Sequence, residues 1–352
     1  MEDETTQLNT SDIDESDLLD IVPEYEHAIE SFPDKDKYIF KIKFEERYKK
    51  LLGENDYKKF IDYSLSFKRR GIRVNTLKTT TDEIKKRIGG EWNLIPVPWY
   101  SNAFWIEHKA EKGSDEFRRD VGNLIEHSLG YIYIQDPASA IPPLVIDPKP
   151  GDRILDMCAA PGSKTTQLSQ LMQNKGIIVA NELIGMRIAA LGVNVQRMGC
   201  SNVIITQSDA SYMKQGVKYN KILVDAPCSG VGTIRKSPKT IMMWNPSGVE
   251  KLVRIQQRLL MSAFDLLEVG GTLVYSTCTT EPEENEGIIS WFVNKYPSMK
   301  VQPINLNIKQ SNPVLSFDDV TFNEQVKDCL RIWPFDNDTE GFFVCKLIKT
   351  AN

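Results

Sequence analysis

Long hydrophobic runs are missing from this sequence. No apolar stretch in its 352 residues approaches the ~18 needed for a membrane-spanning helix, which excludes a transmembrane segment. The opening residues, MEDETTQLNTSDIDESDLLD, hold neither a basic n-region nor an apolar h-region, which argues against a secretory signal. Cysteine is scarce: six residues without a Cys-x-x-Cys pair exclude a disulfide scaffold and imply reduced thiols, with the cytoplasm as the expected compartment. Histidine is scarcer still, at His27, His108 and His127, and no metal site is expected.

The rest reads as an ordinary globular protein. With 41% hydrophobic and 26% charged residues over this length, two domains are expected. The net charge of −5 looks wrong for a nucleic-acid partner until it is divided along the chain. Residues 1–30 carry 11 acidic side chains and no Lys or Arg, leaving 43 basic and 37 acidic residues for the remainder. Residues 35–87 alone carry 17 basic against 8 acidic, interleaved with Tyr38, Phe40, Tyr48, Tyr57, Tyr63 and Phe67. Any single lysine there fits a solvated helix face equally well, but the density favours a patch that meets RNA phosphates.

Three segments are expected: an acidic tail over 1–33 with a short helix near Ile21–Phe32, a small α+β unit over 34–130, and a larger unit over 131–352. In the small unit Phe40, Phe44, Tyr48, Leu51 and Leu52 have helical spacing. Arg73–Leu77 reads as a strand and Thr81–Ile88 as a helix, and Val97–Ile106 with the strand Tyr131–Gln135 at the junction completes the mixed sheet. Beyond Asp152 the runs RILDM, IIVANE, NVIITQ, KILVDAP and TLVYST alternate with helical stretches such as Lys164–Met172, Met186–Met198 and Val249–Leu267. Buried strands joined by helices predict a parallel, doubly wound, Rossmann-like α/β sheet, whose ligands bind beyond the carboxyl ends of the strands.

The first of those ends runs into Asp156-Met157-Cys158-Ala159-Ala160-Pro161-Gly162-Ser163-Lys164-Thr165. A Walker A loop needs Gly before the Lys, and Ser163 stands there; a dinucleotide loop needs two glycines, where this one has Ala159, Ala160 and a proline without an N–H. The loop is a poor phosphate cradle and suits a cofactor lacking phosphates, such as S-adenosylmethionine. Glu182 ends the second strand, where a carboxylate can accept both ribose hydroxyls. Asp209 follows the third, placed for an adenine amino group, and Asp225 ends the fourth. Each alone fits a helix cap or a surface role; three at successive strand ends fit a sulfonium, which carboxylates attract.

Cys228 lies just past the fourth strand and Cys278 just past the fifth. Free cysteine is usually a buried hydrophobe, the reading for Cys200, Cys329 and Cys345. Two thiols at the cofactor edge instead suit addition of a thiolate to carbon 6 of cytosine, which pushes electron density onto carbon 5. Asp225 is placed to assist at ring nitrogen 3, and Lys164 with the start of the first helix would supply the positive potential a thiolate needs. A zinc deaminase needs His-x-Glu and Pro-Cys-x-x-Cys, and neither is present. Between the two thiols, spacing does not choose.

The segments RVNTLK (73–78), QDPAS (135–139), DMCAAPGSKT (156–165), DAPCSG (225–230), YSTCT (275–279), RIWP (331–334) and EGFF (340–343) together resemble the Nop/Sun family of RNA cytosine-5 methyltransferases over roughly residues 70–348. The resemblance implies a class I S-adenosylmethionine-dependent methyltransferase fold with a small N-terminal RNA-binding domain. It implies that Cys278 attacks the base, that Cys228 assists product release, and that Lys164 orients the pyrimidine. Cofactor contacts would be Cys158, Ala159, Ala160, Pro161, Gly162, Ser163, Lys164, Glu182, Arg187, Asp209 and Asp225. Phe335 stands where relatives commonly carry His. With no recognisable added RNA-binding domain, the chain resembles the compact archaeal-type tRNA enzymes that modify cytosines near the variable loop. Ribosomal RNA is the other substrate to weigh and a non-catalytic RNA-binding assembly factor the other reading, and a monomer is expected.

Overall fold

The computed structural model describes residues 29–213 and 216–352; the acidic segment 1–28, with most of the helix expected near Ile21–Phe32, lies outside them. A four-stranded antiparallel sheet, in the order β2-β3-β1-β4, is built from β1 (Arg70–Val74), β2 (Trp92–Val97), β3 (Tyr100–His108) and β4 (Ile132–Ile134). The large sheet follows with β5 (Arg153–Asp156), β6 (Ile177–Glu182), β7 (Val203–Gln207), β8 (Tyr219–Asp225), β9 (Leu267–Thr277) and β10 (Met299–Gln302). After a separate hairpin of β11 (Ser316–Phe317) and β12 (Val320–Thr321), β13 (Leu330–Ile332) and β14 (Phe342–Lys349) return to it. Its order is β10-β14-β9-β8-β5-β6-β7, with β13 also paired to β14.

Strands β5 to β9 pair in parallel, as their apolar runs foretold, while β14 pairs antiparallel to β9. The helices between them occupy Ser163–Leu171, Gly185–Met198 and Pro246–Leu266, close to the expected spans. The last starts at Asn245, whose side chain accepts from Gly248 N at 2.8 Å; the middle one ends at Gly199 in a left-handed conformation (φ 74°). One apolar core packs Leu259, Leu260, Ile288 and Phe292 against one face of the sheet. The other face packs Ile141, Val145 and Ile146 together with Trp99 and Trp105 of the small sheet, so the two units share a core.

Two local expectations need correction. The strand foreseen at Arg73–Leu77 runs from Arg70 to Val74, because buried Asn75 folds a turn: its side-chain oxygen accepts from Leu77 N at 3.2 Å. The stretch Val97–Ile106 is the turn and second strand of the β2–β3 hairpin. The helix expected from the spacing of Phe40 to Leu52 spans Ile42–Ser64 and is broken at Gly53 (φ 73°). No described helix is long and apolar enough to cross a membrane.

Candidate active site

Strand order reverses direction at β5, with β6 and β7 on one side and β8 and β9 on the other. Beyond the carboxyl ends at that switch point opens a cleft of about 980 Å³. Its wall includes Asp156, Cys158, Ala159, Ala160, Pro161, Ser163, Lys164, Arg187, Asp225 and Cys278. Gly162, Glu182, Asp209 and Cys228 stand behind or beside that wall rather than in it.

In the loop after β5, Ala159 N donates to Asn181 O and Gly162 N to Ala159 O, both at 2.8 Å, and Pro161 has no N–H to give. Two buried carboxylate oxygens lack a hydrogen bond of good geometry among the described residues: Asp156 Oδ1, and Glu182 Oε2, which is ion-paired to Arg187 Nη1 at 3.3 Å. Glu182 Oε1 accepts from Ile184 N at 3.0 Å, and Arg187 ties Glu182 (3.3 Å) to the Ala160 carbonyl (2.7 Å). Asp209 is exposed and caps a short turn, accepting from Ser211 N at 2.9 Å. Buried carboxylates with hydrogen-bonding capacity left over, beside a loop interrupted by proline, fit a cationic, hydroxyl-bearing ligand, and S-adenosylmethionine is one. Burial pushes Asp156 up to about 7, and burial likewise pushes the Cys158 thiol up, which keeps that cysteine protonated.

The Lys164 ammonium lies 2.6 Å from Asp225 Oδ2 and 3.1 Å from Ser139 Oγ. Burial works against its charge, but the Asp225 carboxylate outweighs that and raises its pKa. Asp225 Oδ1 accepts from Ser276 Oγ at 2.8 Å. Cys228 Sγ lies 3.4 Å from Cys278 Sγ. The hydrogen bond to Cys278, then burial, raises Cys228 well above the usual thiol range. Cys200, Cys329 and Cys345 are buried, as expected of core thiols.

Apart from Arg331 of the RIWP segment, the residues that hold the Cys278 loop lie outside the family motifs. Gly232 N donates to Cys278 O at 3.1 Å. Arg331 forks onto Glu286 in a fully buried pair (Nε–Oε1 2.7 Å) and gives a third bond to Thr280 O at 3.0 Å. Buried Glu281 accepts from Trp244 Nε1 at 2.6 Å, Tyr48 Oη at 3.0 Å and Arg47 Nε at 2.8 Å. Buried Glu284, pushed up to about 7 by its burial, accepts from Ser229 N and Gln256 Nε2 beside Cys228. Arg73 docks the small sheet on the helix after the cofactor loop, donating to Gln135, Thr166, Gln170 and Ser163 O.

The basic and aromatic run reads differently in three dimensions. Phe40, Phe44, Tyr48, Tyr57 and Phe60 form a buried core with Trp244 and Trp333, so they are not stacking platforms for bases. Lys68 is paired with Glu340 (2.6 Å) and Asp136 (3.2 Å), and Arg69 with Glu107 (3.2 Å). Lys58 and Lys59 stay exposed.

Residues 143–348 match the family described as 16S rRNA methyltransferase RsmB/F, and residues 40–137 match the N-terminal domain of 16S rRNA methyltransferase RsmF. A tRNA (cytosine(49)-C(5))-methyltransferase of Pyrococcus abyssi is 40% identical over 309 residues, covering 87% of this chain and 96% of that one. Ribosomal RNA small subunit methyltransferase F of Shewanella amazonensis is 40% identical over 298 residues, covering 83% of this chain but 61% of the longer relative. The crystal structure of NSun6 from Pyrococcus horikoshii with SFG superposes with a TM-score of 0.78 at 25% identity, over 90% of this chain and all of that one. The fold is the Rossmann-like class I methyltransferase fold with a small N-terminal domain, and the chain belongs to the RsmB/F (Nop/Sun) family of S-adenosylmethionine-dependent RNA methyltransferases.

Proposed function

We propose that this chain methylates carbon 5 of cytosine in RNA, with Cys278 as the attacking thiolate. One observation carries the reading: Cys278 and the Lys164–Asp225 pair line a single cleft with the loop after β5, and a second thiol lies 3.4 Å from the first. When bound, S-adenosylmethionine supplies an electrophilic methyl carbon. Cytosine carbon 5 is too weak a nucleophile to take it unaided, and the bond from Cys278 Sγ to carbon 6 gives it the missing electron density. The Lys164 ammonium, held by Asp225 and Ser139, donates to ring nitrogen 3 and draws the added electrons. On release the carbon-5 proton leaves to solvent and the sulfur–carbon bond breaks, with Cys228 donating its S–H to the departing sulfur.

The cofactor side of the cleft is assigned to the Cys158–Lys164 loop, Glu182 for the ribose hydroxyls, Arg187 as the brace of Glu182, Asp209 for the adenine amino group, and Asp225. The small unit carries RNA binding; because β4 belongs to its sheet, we place its end near residue 137. Every group in the scheme comes from one chain, so a monomer suffices. The RNA substrate and the six free thiols suit the cytoplasm.

Transfer RNA is the favoured substrate, on the strength of the match along 96% of the Pyrococcus abyssi tRNA enzyme. Bisulfite sequencing of tRNA and ribosomal RNA after incubation with the protein and S-adenosylmethionine tests this. New protected cytosines in tRNA are expected; protection in ribosomal RNA alone would move the substrate, and none in either would overturn the activity.

A further inference from the structure

The wall of the same cleft also includes Glu30, Phe67, Lys112, Phe117 and Arg119. The Glu30 carboxylate bridges two of them, accepting from Arg119 Nη2 at 2.5 Å and from Lys112 Nζ at 3.1 Å. We infer that Lys112 and Arg119 form a phosphodiester subsite for the RNA strand, and that Glu30 occupies the phosphate's place until RNA arrives. This rests on the RNA methyltransferase reading above.

Three features separate this pair from an ordinary surface contact. The Arg119 guanidinium lies 4.3 Å from the centroid of the Phe67 ring and 5.6 Å from that of Phe117, so the rings fix its plane in advance. A guanidinium already ordered loses less freedom when it takes a phosphate in its two-pronged grip. Glu30 is tethered to the segment that follows the long helix: Phe67 N donates to Glu30 O at 2.7 Å, and Phe32 N to Leu65 O at 2.8 Å. Finally, all three charged groups are exposed, at 38% for Glu30, 42% for Arg119 and 62% for Lys112. Ion pairs this wet are weak and readily exchange partners, unlike the largely buried Lys68–Glu340 pair in the same wall. Arg70, Arg118 and Lys236 line the cleft without an ion pair among the described residues, continuing a cationic wall for a polyanion.

The test is fluorescence anisotropy of a labelled tRNA transcript against the full chain across a salt series. Arg119→Gln and Lys112→Gln should each weaken binding several-fold and lower the slope of log K against log salt by about 1. Glu30→Gln should tighten binding several-fold by removing the competing carboxylate. Unchanged S-adenosylmethionine binding by calorimetry shows the variants folded. Unchanged affinity and slope in both cation variants would overturn the subsite while leaving the methyltransferase reading intact; unchanged affinity in Glu30→Gln would overturn the stand-in role. A wild-type chain that binds the tRNA through these cations yet methylates no RNA would sink the enzymatic reading and leave the subsite standing.

Discussion

The Tyr48 hydroxyl, carried on the first long helix, lies 2.8 Å from Thr280 Oγ1, two residues beyond Cys278. It also donates to Glu281 Oε1 at 3.0 Å, in a buried network completed by Arg47 and Trp244. The N-terminal helix therefore braces the loop that presents Cys278 to the cleft.

Tyr48→Phe keeps the ring in its stack with Phe44 and Phe60 and deletes only the hydroxyl. Thr280 and Glu281 then each lose a buried partner, which costs about 1–3 kcal/mol. Urea unfolding should show that loss, and kcat should fall with KM for RNA little changed.

Gly232 has no room for a side chain. A Cβ there would lie 2.2 Å from Gly341 O and 2.8 Å from Cys278 O, both backbone atoms that cannot swing aside. Gly232→Ala should displace the Cys278 loop and remove methyl transfer. Calorimetry should still detect S-adenosylmethionine binding, because the loop after β5 and Glu182 stand on other strands.

Glu182→Gln should weaken S-adenosylmethionine roughly tenfold or more, since a hydrogen bond to a charged acceptor is worth about 1.5–3 kcal/mol. RNA affinity measured without the cofactor should not move.

The two carboxyls pushed up to about 7, Asp156 and Glu284, make stability depend on pH. Burial raises both in the folded chain, so the folded state binds more protons than the unfolded state between their ordinary values near 4 and about 7. Their contribution is complete below pH 4 and is lost as pH rises through 7, at ~1.4 kcal/mol per unit of separation. Glu284→Gln, which keeps an acceptor for Ser229 N, should flatten that decline in unfolding curves measured across the window.

The parallel strands β5, β6, β8 and β9 were legible because most of their residues are buried, so they form apolar runs ending at charged or polar groups, whereas the edge strand β7 is apolar without being buried. The convergence of Asp225, Lys164 and Cys278 was legible for the same reason: strand ends in such a sheet share an edge. The aromatic run from Phe40 to Phe67 misled, since helical spacing of Phe44, Tyr48 and Phe60 is equally the signature of a core, and that is where they sit. Lys68 belongs to the basic run expected to meet phosphates, but its carboxylate partner Glu340 lies 272 residues away in sequence. The bracing of the Cys278 loop by Tyr48 and Trp244 was silent because each contact joins distant segments, with no periodicity or spacing to mark it.

The most direct test of the central claim lies with the two thiols 3.4 Å apart. Cys228→Ala and Cys278→Ala, each incubated with tRNA and S-adenosylmethionine, are run on a denaturing gel and assayed for 5-methylcytosine. Cys228→Ala should accumulate a denaturant-resistant protein–RNA adduct, and Cys278→Ala should form neither adduct nor product. An adduct trapped by Cys278→Ala instead, with Cys228→Ala inert, would reverse the roles and contradict the account.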